Sequence, residues 1–255
     1  MADVVEAWSE LEDEVRIQST KIPLPSTITY RFMQHTIVPM IRFLLRLSPR
    51  GMERIPRKGS AIFAANHLSH VDPVIVVSTV RRRLHYLAKD EHFATPGVSL
   101  FMKATGQIKT ERESGAAGAL ARASDILSEG RCLGIFPEGT RSKNTEAPFL
   151  LKGKTGVARL AAAHPEVPVV PLALIGSREM MAPKVHKIPR LWKKVKVNCG
   201  HGTSWNDWLK KNDFSSDDIA ALLKMDEAER KSELAGMFRG FTDDLMRDIA
   251  ALGAP

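Results

Sequence analysis

A histidine and an aspartate five residues apart are the clearest chemical feature of the sequence. They stand at the second and last positions of residues 66–72, which read Asn-His-Leu-Ser-His-Val-Asp. A neutral imidazole can take the proton of an alcohol as a new bond forms, and a carboxylate beside it fixes the tautomer and stabilises the imidazolium. His67 and Asp72 therefore have the types and spacing of a general base for transfer to a hydroxyl that the substrate supplies.

The elements around this pair are predicted to bring the two side chains together. The apolar run Ser60–Ala65 is typical of a buried strand, and Asp72-Pro73 reads as the N-cap and first residue of a helix over Val74–Val80. A loop that turns into a helix start lets the carboxylate reach back to the ring. Two alternatives remain open for these residues: Asp72 as a simple N-cap, and His67, His70 and Asp72 as metal ligands.

Two further segments have residues suited to an anionic substrate. Residues 106–112 read Gly-Gln-Ile-Lys-Thr-Glu-Arg, and residues 136–142 read Phe-Pro-Glu-Gly-Thr-Arg-Ser. Arg141 can grip a phosphate through two parallel hydrogen bonds, Gly139 allows close backbone approach, and Thr140 offers a hydroxyl. Glu138 can accept from glycerol hydroxyls or order the arginines. The alternative is a turn at a strand end that carries a surface ion pair.

The anion-binding residues are expected to meet His67 at one edge of a sheet. His67, Lys89 and Arg141 each come just after a predicted strand, and ligand groups gather beyond the carboxyl ends of parallel strands. Gly153-Lys154-Thr155 resembles the end of a phosphate-binding P-loop, but Pro148 stands where that pattern needs glycine. Nucleotide hydrolysis is therefore excluded, and Lys152 and Lys154 are expected to lie near the anion site.

The rest of the chain alternates strand and helix signals, which favours an α/β layered domain with a mostly parallel, largely buried sheet. The last forty residues have an apolar face at helical spacing, which is typical of a tail helix packed on the domain, with a partner-binding helix as the alternative. The predicted strands are Leu84–Ala88, Cys132–Phe136, Val167–Ile175 and an edge strand Val195–Cys199, and the predicted helices are 97–104, Gly115–Ser128 and Thr155–Ala163.

The charge of the chain, +8 in total, is unevenly distributed. Residues 1–28 and residues 205–255 each sum to −4, so that residues 29–204 carry +16. A basic central segment indicates an anionic partner: nucleic acid, an anionic lipid surface or a phosphorylated substrate. Since no base-reading module or stacking motif is present, nucleic acid is not expected. The cysteines, Cys132 and Cys199, stand in apolar strand contexts and are predicted to be buried thiols.

Two basic and apolar segments predict contact with a membrane surface. Residues 29–50 read as helix, divided at Pro39, with Arg31, His35, Arg42 and Arg46 on one face. The longest apolar candidate within it, Ile37–Leu47, is interrupted by Pro39, Arg42 and Arg46 and is far shorter than the roughly 20 apolar residues that a span needs. No secretory signal is visible. Residues 178–196 hold seven Lys/Arg and one Glu among large apolar side chains, a composition suited to an anionic interface. A solvated basic loop is the alternative for this second segment.

Together with residues 167–172, Val-Pro-Val-Val-Pro-Leu, the three segments above form four ordered blocks that resemble those of the glycerolipid acyltransferases. The resemblance implies an α/β acyltransferase core with a membrane-associated N-terminal helical element and no metal or prosthetic group. It implies His67 and Asp72 as the catalytic pair. Acceptor binding is implied for Arg112, Glu138, Gly139 and Arg141, and for Lys89, because relatives carry a lysine there. Glu111 stands where aspartate is usual. We therefore expect a helical membrane-association segment at residues 1–50, the acyltransferase α/β domain at residues 51–204, and a C-terminal helical extension packed on the core at residues 205–255.

The function that this resemblance implies is transfer of a fatty acyl group from acyl-CoA or acyl-carrier protein to a glycerol phosphate. We expect 1-acylglycerol 3-phosphate as the acceptor and phosphatidic acid as the product, formed by a peripheral protein at the cytoplasmic face of a membrane. Glycerol 3-phosphate or another lysophospholipid is the alternative acceptor. A different class, a non-catalytic protein that binds anionic membranes, is disfavoured because a site free to drift need not keep both His67 and Asp72.

Overall fold

The strands and helices alternate along the chain as the sequence predicts. The computed structural model describes residues 3–24, 28–89, 107–110, 115–182, 185 and 190–255, with backbone alone at 28–29, 31, 88–89 and 109–110. The strands are β1 Leu47–Arg50, β2 Ala61–Ala65, β3 Leu84–Lys89, β4 Ile108–Thr110, β5 Cys132–Ile135, β6 Val169–Ile175 and β7 Val195–Cys199. The helices are α1 Val4–Ser9, α2 Glu12–Val15, α3 Ile28–Leu44, α4 Asp72–Val80, α5 Gly115–Ser128, α6 Gly156–Ala163, α7 Ser177–Met181, α8 Trp205–Lys211, α9 Ser216–Lys224 and α10 Glu227–Ala251.

The described strands form one seven-stranded sheet in the order β1-β7-β6-β2-β5-β3-β4. Strands β6, β2, β5, β3 and β4 run parallel, and β7 runs antiparallel to β6. The prediction of an α/β fold with a mostly parallel sheet is confirmed. The parallel arrangement places the residues that follow β2 and β5 at the same edge of the sheet, which is the edge where the candidate site forms.

Alternation along β2 divides the core between the two faces of the sheet. Ile62 and Ala64 pack in a cluster with α1, α5, α6 and the C-terminal helices, while Phe63 and Ala65 pack on the other face with α3 and α4. Every residue of β2 is buried, as expected for a central strand covered by helices on both sides. The predicted apolar face of the C-terminal helix lies in the first cluster, so that its prediction as a packed tail helix is confirmed.

Two predictions about the β1–β7 end of the sheet are wrong for the same reason, which is that residues 47–50 form a strand. The predicted helix over residues 29–50 ends at Leu44, and residues 47–50 form β1, which pairs with β7. Arg46, predicted on the helix face, instead has a φ of 47° in the turn between the two elements. Because β1 covers it, Val195–Cys199 is an interior strand and not the predicted edge strand. Pro49 is tolerated in β1 because an edge strand has a side without ladder partners.

The acidic N-terminal segment also packs on the core, a contact that no sequence pattern predicted. Trp8 is fully buried, donates its indole N–H to the carbonyl of Ala162 at 3.1 Å, and lies 5.0 Å from the ring of Trp205. Residues 1–50 thus contribute to the same core and sheet as the rest of the chain. The division at residues 50 and 204 stays a prediction, and the predicted helix 97–104 lies outside the described residues.

Strand β5 makes a close approach to an aromatic ring. A Cβ atom at Gly134 would lie 2.2 Å from Cζ of Tyr86, a distance at which the ring or the strand must shift. Tyr86 is buried and belongs to the neighbouring strand β3. Glycine at position 134 therefore lets this ring lie flat across the sheet beneath the candidate site.

We expect Gly134→Ala to lower the free energy of unfolding by about 1–3 kcal/mol, because overpacking a filled core forces side chains off their rotamers. Urea denaturation of the variant and of the unaltered protein measures this difference. Gly236→Ala is the matched control, since a Cβ there meets nothing within 4 Å, and on α10 alanine should be neutral or stabilising. Equal stability of Gly134→Ala and the unaltered protein would show that the ring moves freely.

Candidate active site

His67 directly follows β2, and its neighbour Asn66 holds it there. The Asn66 side chain donates to the carbonyl of Leu174 at 3.0 Å and accepts the N–H of Leu174 at 2.7 Å. These two bonds continue the pairing of β2 with β6 one residue beyond the strand end. The backbone at His67 therefore starts from a fixed position at the carboxyl edge of the sheet.

The His67 ring and the Asp72 carboxylate meet as predicted. His67 Nδ1 lies 2.9 Å from Asp72 Oδ2, and the same oxygen accepts the backbone N–H groups of Leu68 and Ser69 at 2.6 Å each. Since this oxygen is the acceptor in each bond, Nδ1 carries the proton and donates it to the carboxylate. The Nε2 atom is then left with its lone pair, which is the tautomer that a general base requires.

The position of Asp72 differs in one respect from the prediction. Val71 is the N-cap of α4, Asp72 is the first helical residue, and no side chain caps this helix start. The Asp72 carboxylate turns away from the helix and binds the preceding loop, so that its reading as a simple N-cap is wrong. Asp72 is fully buried, whereas the side chain of His67 is 15% exposed and reachable from outside.

Aromatic rings fix the plane of the imidazole. Phe136, which follows β5, stacks on His67 with ring centroids 4.0 Å apart and an angle of 13° between the planes. Tyr86 lies behind Phe136 at 5.3 Å and 18°. With Asp72 binding one ring nitrogen and Phe136 covering one face, the imidazole has little freedom to rotate. Phe136 stands in the third block without a predicted role, and no sequence pattern indicated Tyr86.

The third block, residues 136–142, binds the backbone of His67 and so fixes the position of the first block, residues 66–72. Glu138 accepts the N–H of His67 at 2.6 Å and the N–H of Leu151 at 2.9 Å, and Ser142 donates its N–H to the carbonyl of His67 at 3.0 Å. Glu138 is 2% exposed, so both of its oxygens are directed at the protein backbone. These two bonds give Glu138 a positioning role, while its predicted contact with a glycerol hydroxyl or an arginine stays a prediction.

Burial raises the pKa of Glu138 from 4.5 to about 7, the two backbone hydrogen bonds act in the opposite direction, and the charge of Asp72 adds to the increase. The folded chain then binds a proton at Glu138 more tightly than the unfolded chain does. The contribution of Glu138 to the free energy of unfolding therefore falls as pH rises from about 4.5 through about 7. Above that window its contribution stays constant.

Glu138→Gln should be less stable than the unaltered protein at pH 5, by about 1–3 kcal/mol, because an amide nitrogen leaves one backbone N–H without an acceptor. The difference in free energy of unfolding between the two proteins should narrow as pH rises to 8, because ionising the buried glutamate destabilises only the unaltered protein. Urea denaturation at several pH values measures both effects. A gap that stays constant between pH 5 and pH 8 would contradict the raised pKa.

Gly139, Thr140 and Arg141 form the outer part of the third block. Gly139 has a φ of 68°, and a Cβ there would lie 2.9 Å from the Lys154 side chain, which places Lys154 beside this turn as predicted. Thr140 is exposed. Arg141 is half-buried and forms a hydrogen bond through Nη1 with His70 Nδ1. Burial lowers the pKa of Arg141 from its usual value, while the charge of Asp72 raises it.

Arg178, which was not predicted as a site residue, organises the loop that follows the third block. It donates to the carbonyl of Ser142 at 3.4 Å and to the carbonyl of Asn144, and its guanidinium lies 4.4 Å from the centroid of the Phe149 ring. These contacts hold residues 142–149 beside Arg141. The sequence offered no local sign of this role, because the carbonyls that Arg178 binds are more than thirty residues away.

Two predicted substrate-binding residues are only partly placed. Lys89 ends β3, parallel to β5, which puts its backbone at the same edge of the sheet as Phe136; its side chain lies outside the described residues. Arg112 lies outside them entirely. Of the second block, Gln107 accepts the N–H of Tyr86 at 2.6 Å and donates to the carbonyl of Leu84 at 3.2 Å, which fixes the start of β4 against β3.

The alternative of a metal centre at His67, His70 and Asp72 does not fit this geometry. His70 Nδ1 is bound to Arg141, and Asp72 Oδ2 is occupied by two backbone N–H groups and the imidazole. In the part of the chain that the structure describes, no group of three or more His, Cys, Asp or Glu side chains could hold a metal ion. Cys132 and Cys199 are free and buried, as predicted.

Comparison with known proteins identifies the family to which this chain belongs. Residues 46–175, about half of the chain, match the family model described as Acyltransferase, and this range contains all four blocks. The chain belongs to the acyltransferase family. The resemblance drawn from the ordered blocks is thereby confirmed.

Relatives of this acyltransferase include proteins named for one enzyme activity. A 1-acyl-sn-glycerol-3-phosphate acyltransferase of Borreliella burgdorferi is 26% identical over 196 residues, which cover 74% of this chain and 72% of the relative. An enzyme of the same name from Bacillus subtilis is 26% identical over 148 residues, covering 58% and 71%. The crystal structure of the 1-acyl-sn-glycerophosphate acyltransferase PlsC from Thermotoga maritima shares the fold, with a TM-score of 0.54 and 21% identity over 85% of this chain and 82% of that one.

Proposed function

We propose that this acyltransferase moves a fatty acyl group from acyl-CoA or acyl-carrier protein to the free hydroxyl of 1-acylglycerol 3-phosphate and so forms phosphatidic acid. The observation that carries the proposal is the His67–Asp72 pair, with the imidazole held in one tautomer at the carboxyl edge of the sheet. The relatives that match most of this chain are named for the same reaction.

In the proposed reaction His67 Nε2 takes the proton of the acceptor hydroxyl as its oxygen attacks the thioester carbonyl carbon. Asp72 stabilises the imidazolium that forms, since its carboxylate lies 2.9 Å from Nδ1. The carbon–sulfur bond then breaks, and the imidazolium returns the proton to the leaving thiolate. A base held in place in this way typically contributes 10²–10⁴-fold to the rate.

The acceptor phosphate is assigned to Arg141, with Lys89 and Arg112 as further predicted contacts. Arg141 is in hydrogen-bond contact with His70, which is three residues from His67 in the same loop, so its positive charge lies close to the proposed base. Lys154, beside Gly139, adds a second cation at this edge. A phosphate held here would place the glycerol hydroxyls near the imidazole.

The choice of acceptor is tested by a small panel offered to the purified chain. The release of free thiol from an acyl thioester is measured with 1-acylglycerol 3-phosphate, glycerol 3-phosphate and a lysophosphatidylcholine. We expect the highest kcat/KM with the first. Saturable turnover of glycerol 3-phosphate without detergent or lipid would favour the alternative acceptor, and no turnover with any acceptor would favour the non-catalytic alternative.

Membrane contact is proposed through one continuous surface made by α3 and residues 190–194. Arg46, just after α3, donates to the carbonyl of Trp192 at 3.3 Å, which brings the two predicted segments together. Phe43 is 83% exposed and Trp192 is 67% exposed. Arg190, Lys193 and Lys194 are exposed around them. No helix among the described residues is long and apolar enough to cross a membrane.

The chain should sediment with anionic liposomes and do so less at high salt, because each interfacial Lys or Arg contributes about 1 kcal/mol and salt screens that attraction. Phe43→Ser/Trp192→Ser should weaken partitioning by at least about tenfold, since burying each aromatic ring is worth about 1.5–3 kcal/mol. Ile22→Ser/Leu223→Ser, which removes exposed apolar side chains elsewhere, is the matched control. Equal partitioning of the two double variants would contradict this surface.

A further inference from the structure

A second basic site lies at the opposite edge of the sheet from His67. A cavity of about 470 Å³ opens there, and five of the described residues that line it are arginines: Arg57, Arg81, Arg82, Arg83 and Arg131. Cys132 and His85, which also line it, are at the amino ends of β5 and β3. His67 and Glu138 instead follow the carboxyl ends of β2 and β5. Because these strands run parallel, the cavity and the candidate active site are on opposite edges.

The described lining of this cavity is mainly basic. Glu129 is the acidic side chain among the described residues that line it, and it already binds Arg131 at 2.8 Å. Arg82 is committed to the carbonyls of Pro56 and Gly59, which holds its guanidinium at the wall. Among the described residues that line the cavity, arginines thus outnumber acidic side chains. Like charges held this close favour binding of a counter-anion.

A further cation interacts with Arg81, which lines the cavity. The pKa of Arg42, on α3, is lowered from its usual value first by burial and then by the charge of Arg81. Arg81 follows α4 with a φ of 57°, a backbone conformation that an L residue adopts at some cost. The fold therefore maintains Arg81 near another arginine despite the repulsion and this backbone geometry.

The cavity also offers an unused donor. Gln34 Nε2, on α3, is buried and has no hydrogen-bond partner in the part of the chain that the structure describes, and Gln34 lines the cavity. A buried donor without a partner is costly unless a ligand or water accepts from it. An amide N–H and a set of guanidinium groups are suited to a ligand rich in oxygen acceptors and are unsuited to an acyl chain.

We propose that this cavity binds a ligand with clustered phosphate groups, at a site separate from the catalytic centre. A phosphate group carries about −1.5 to −2 charges near neutral pH, and the cavity brings several guanidinium groups together, so its lining suits a pyrophosphate or two neighbouring phosphates. Two sources share this chemistry: the phosphates of a nucleotide and the headgroup of a phosphorylated lipid. Planar arginine forks suit both, because each can bind two phosphate oxygens.

Isothermal titration of the full chain with inorganic tripolyphosphate tests the site without depending on acyl transfer. We expect saturable binding that Arg57→Gln/Arg81→Gln weakens by about tenfold to a hundredfold, the factor that a lost hydrogen bond to a charged group gives. Lys211→Gln/Lys224→Gln removes the same charge from the exposed surface of the C-terminal helices and should change the affinity little. Arg141→Gln should retain the binding, because Arg141 belongs to the other edge of the sheet.

Competition then identifies the source of the ligand. Displacement of tripolyphosphate by 3′-phosphoadenosine 5′-diphosphate supports a nucleotide, and displacement by inositol 1,4-bisphosphate supports a lipid headgroup. The proposal is overturned if tripolyphosphate shows no saturable binding, if both double variants bind it equally, or if Arg141→Gln abolishes the binding. Because binding alone is measured, these outcomes leave the proposed acyl transfer untouched.

Discussion

His67→Ala should remain folded and lose acyl transfer by about 10²–10⁴-fold in kcat, the contribution typical of a general base. The loss is expected in kcat more than in KM, because the imidazole acts on the hydroxyl proton as the bond to carbon forms. His67 is partly exposed and its ring is not a core side chain, so the truncation leaves the sheet intact. Steady-state kinetics with 1-acylglycerol 3-phosphate and an acyl thioester measure the effect.

Asp72→Asn extends this test to the partner of His67. An amide can present its nitrogen to Nδ1 and to the N–H groups of Leu68 and Ser69, where the structure needs an acceptor. Activity should therefore fall. The unfolding transition should also move to a lower denaturant concentration, because Asp72 is fully buried. His201→Ala, an exposed histidine far along the chain, is the matched control and should keep full activity. A His67→Ala variant with near-normal kcat would remove His67 as the base.

Arg141→Ala should raise the KM for the acceptor, or lower kcat/KM, by about tenfold to a hundredfold. Loss of a charge-assisted hydrogen bond to phosphate costs about 1.5–3 kcal/mol, which corresponds to that range. The KM for the thioester should change little, since the side chain is assigned to the acceptor phosphate. Kinetics in which each substrate is varied in turn separate the two constants.

Lys143→Ala is the control for Arg141→Ala, because it removes one positive charge from an exposed position two residues away. If general attraction of anions were responsible, both variants would show similar losses. We expect a change of less than about threefold for Lys143→Ala, as is usual for an exposed charge in water. An Arg141→Ala variant with unaltered acceptor kinetics would take Arg141 out of the site.

The sequence was sufficient to predict the parts of the site that depend on local order. Residues 61–65 form a short and wholly apolar run, which predicted a buried strand. The loop that brings Asp72 to His67 spans only five residues. The alternation of elements then implied parallel strands with their ends at one edge. These features need only propensity, periodicity and a rule of sheet topology.

Other parts depend on contacts between distant residues and left weaker signals. Residues 47–50, Leu-Ser-Pro-Arg, have no strand pattern, and they form β1 only because β7 offers a parallel partner. Val4, Ala7, Trp8 and Leu11 are spaced as one helical face, a signal that the acidic character of the segment obscured. The role of Glu138 depends on N–H groups at residues 67 and 151, which no local pattern brings together.

The central claim is that the His67–Asp72 site transfers an acyl group from a thioester to a lipid hydroxyl. It is tested most directly by mixing the purified chain with acyl-labelled thioester and 1-acylglycerol 3-phosphate and identifying the labelled lipid by mass spectrometry. We predict labelled phosphatidic acid, formed in step with free thiol and absent with His67→Ala. Thiol release without labelled phosphatidic acid, or equal product with His67→Ala, would contradict the account.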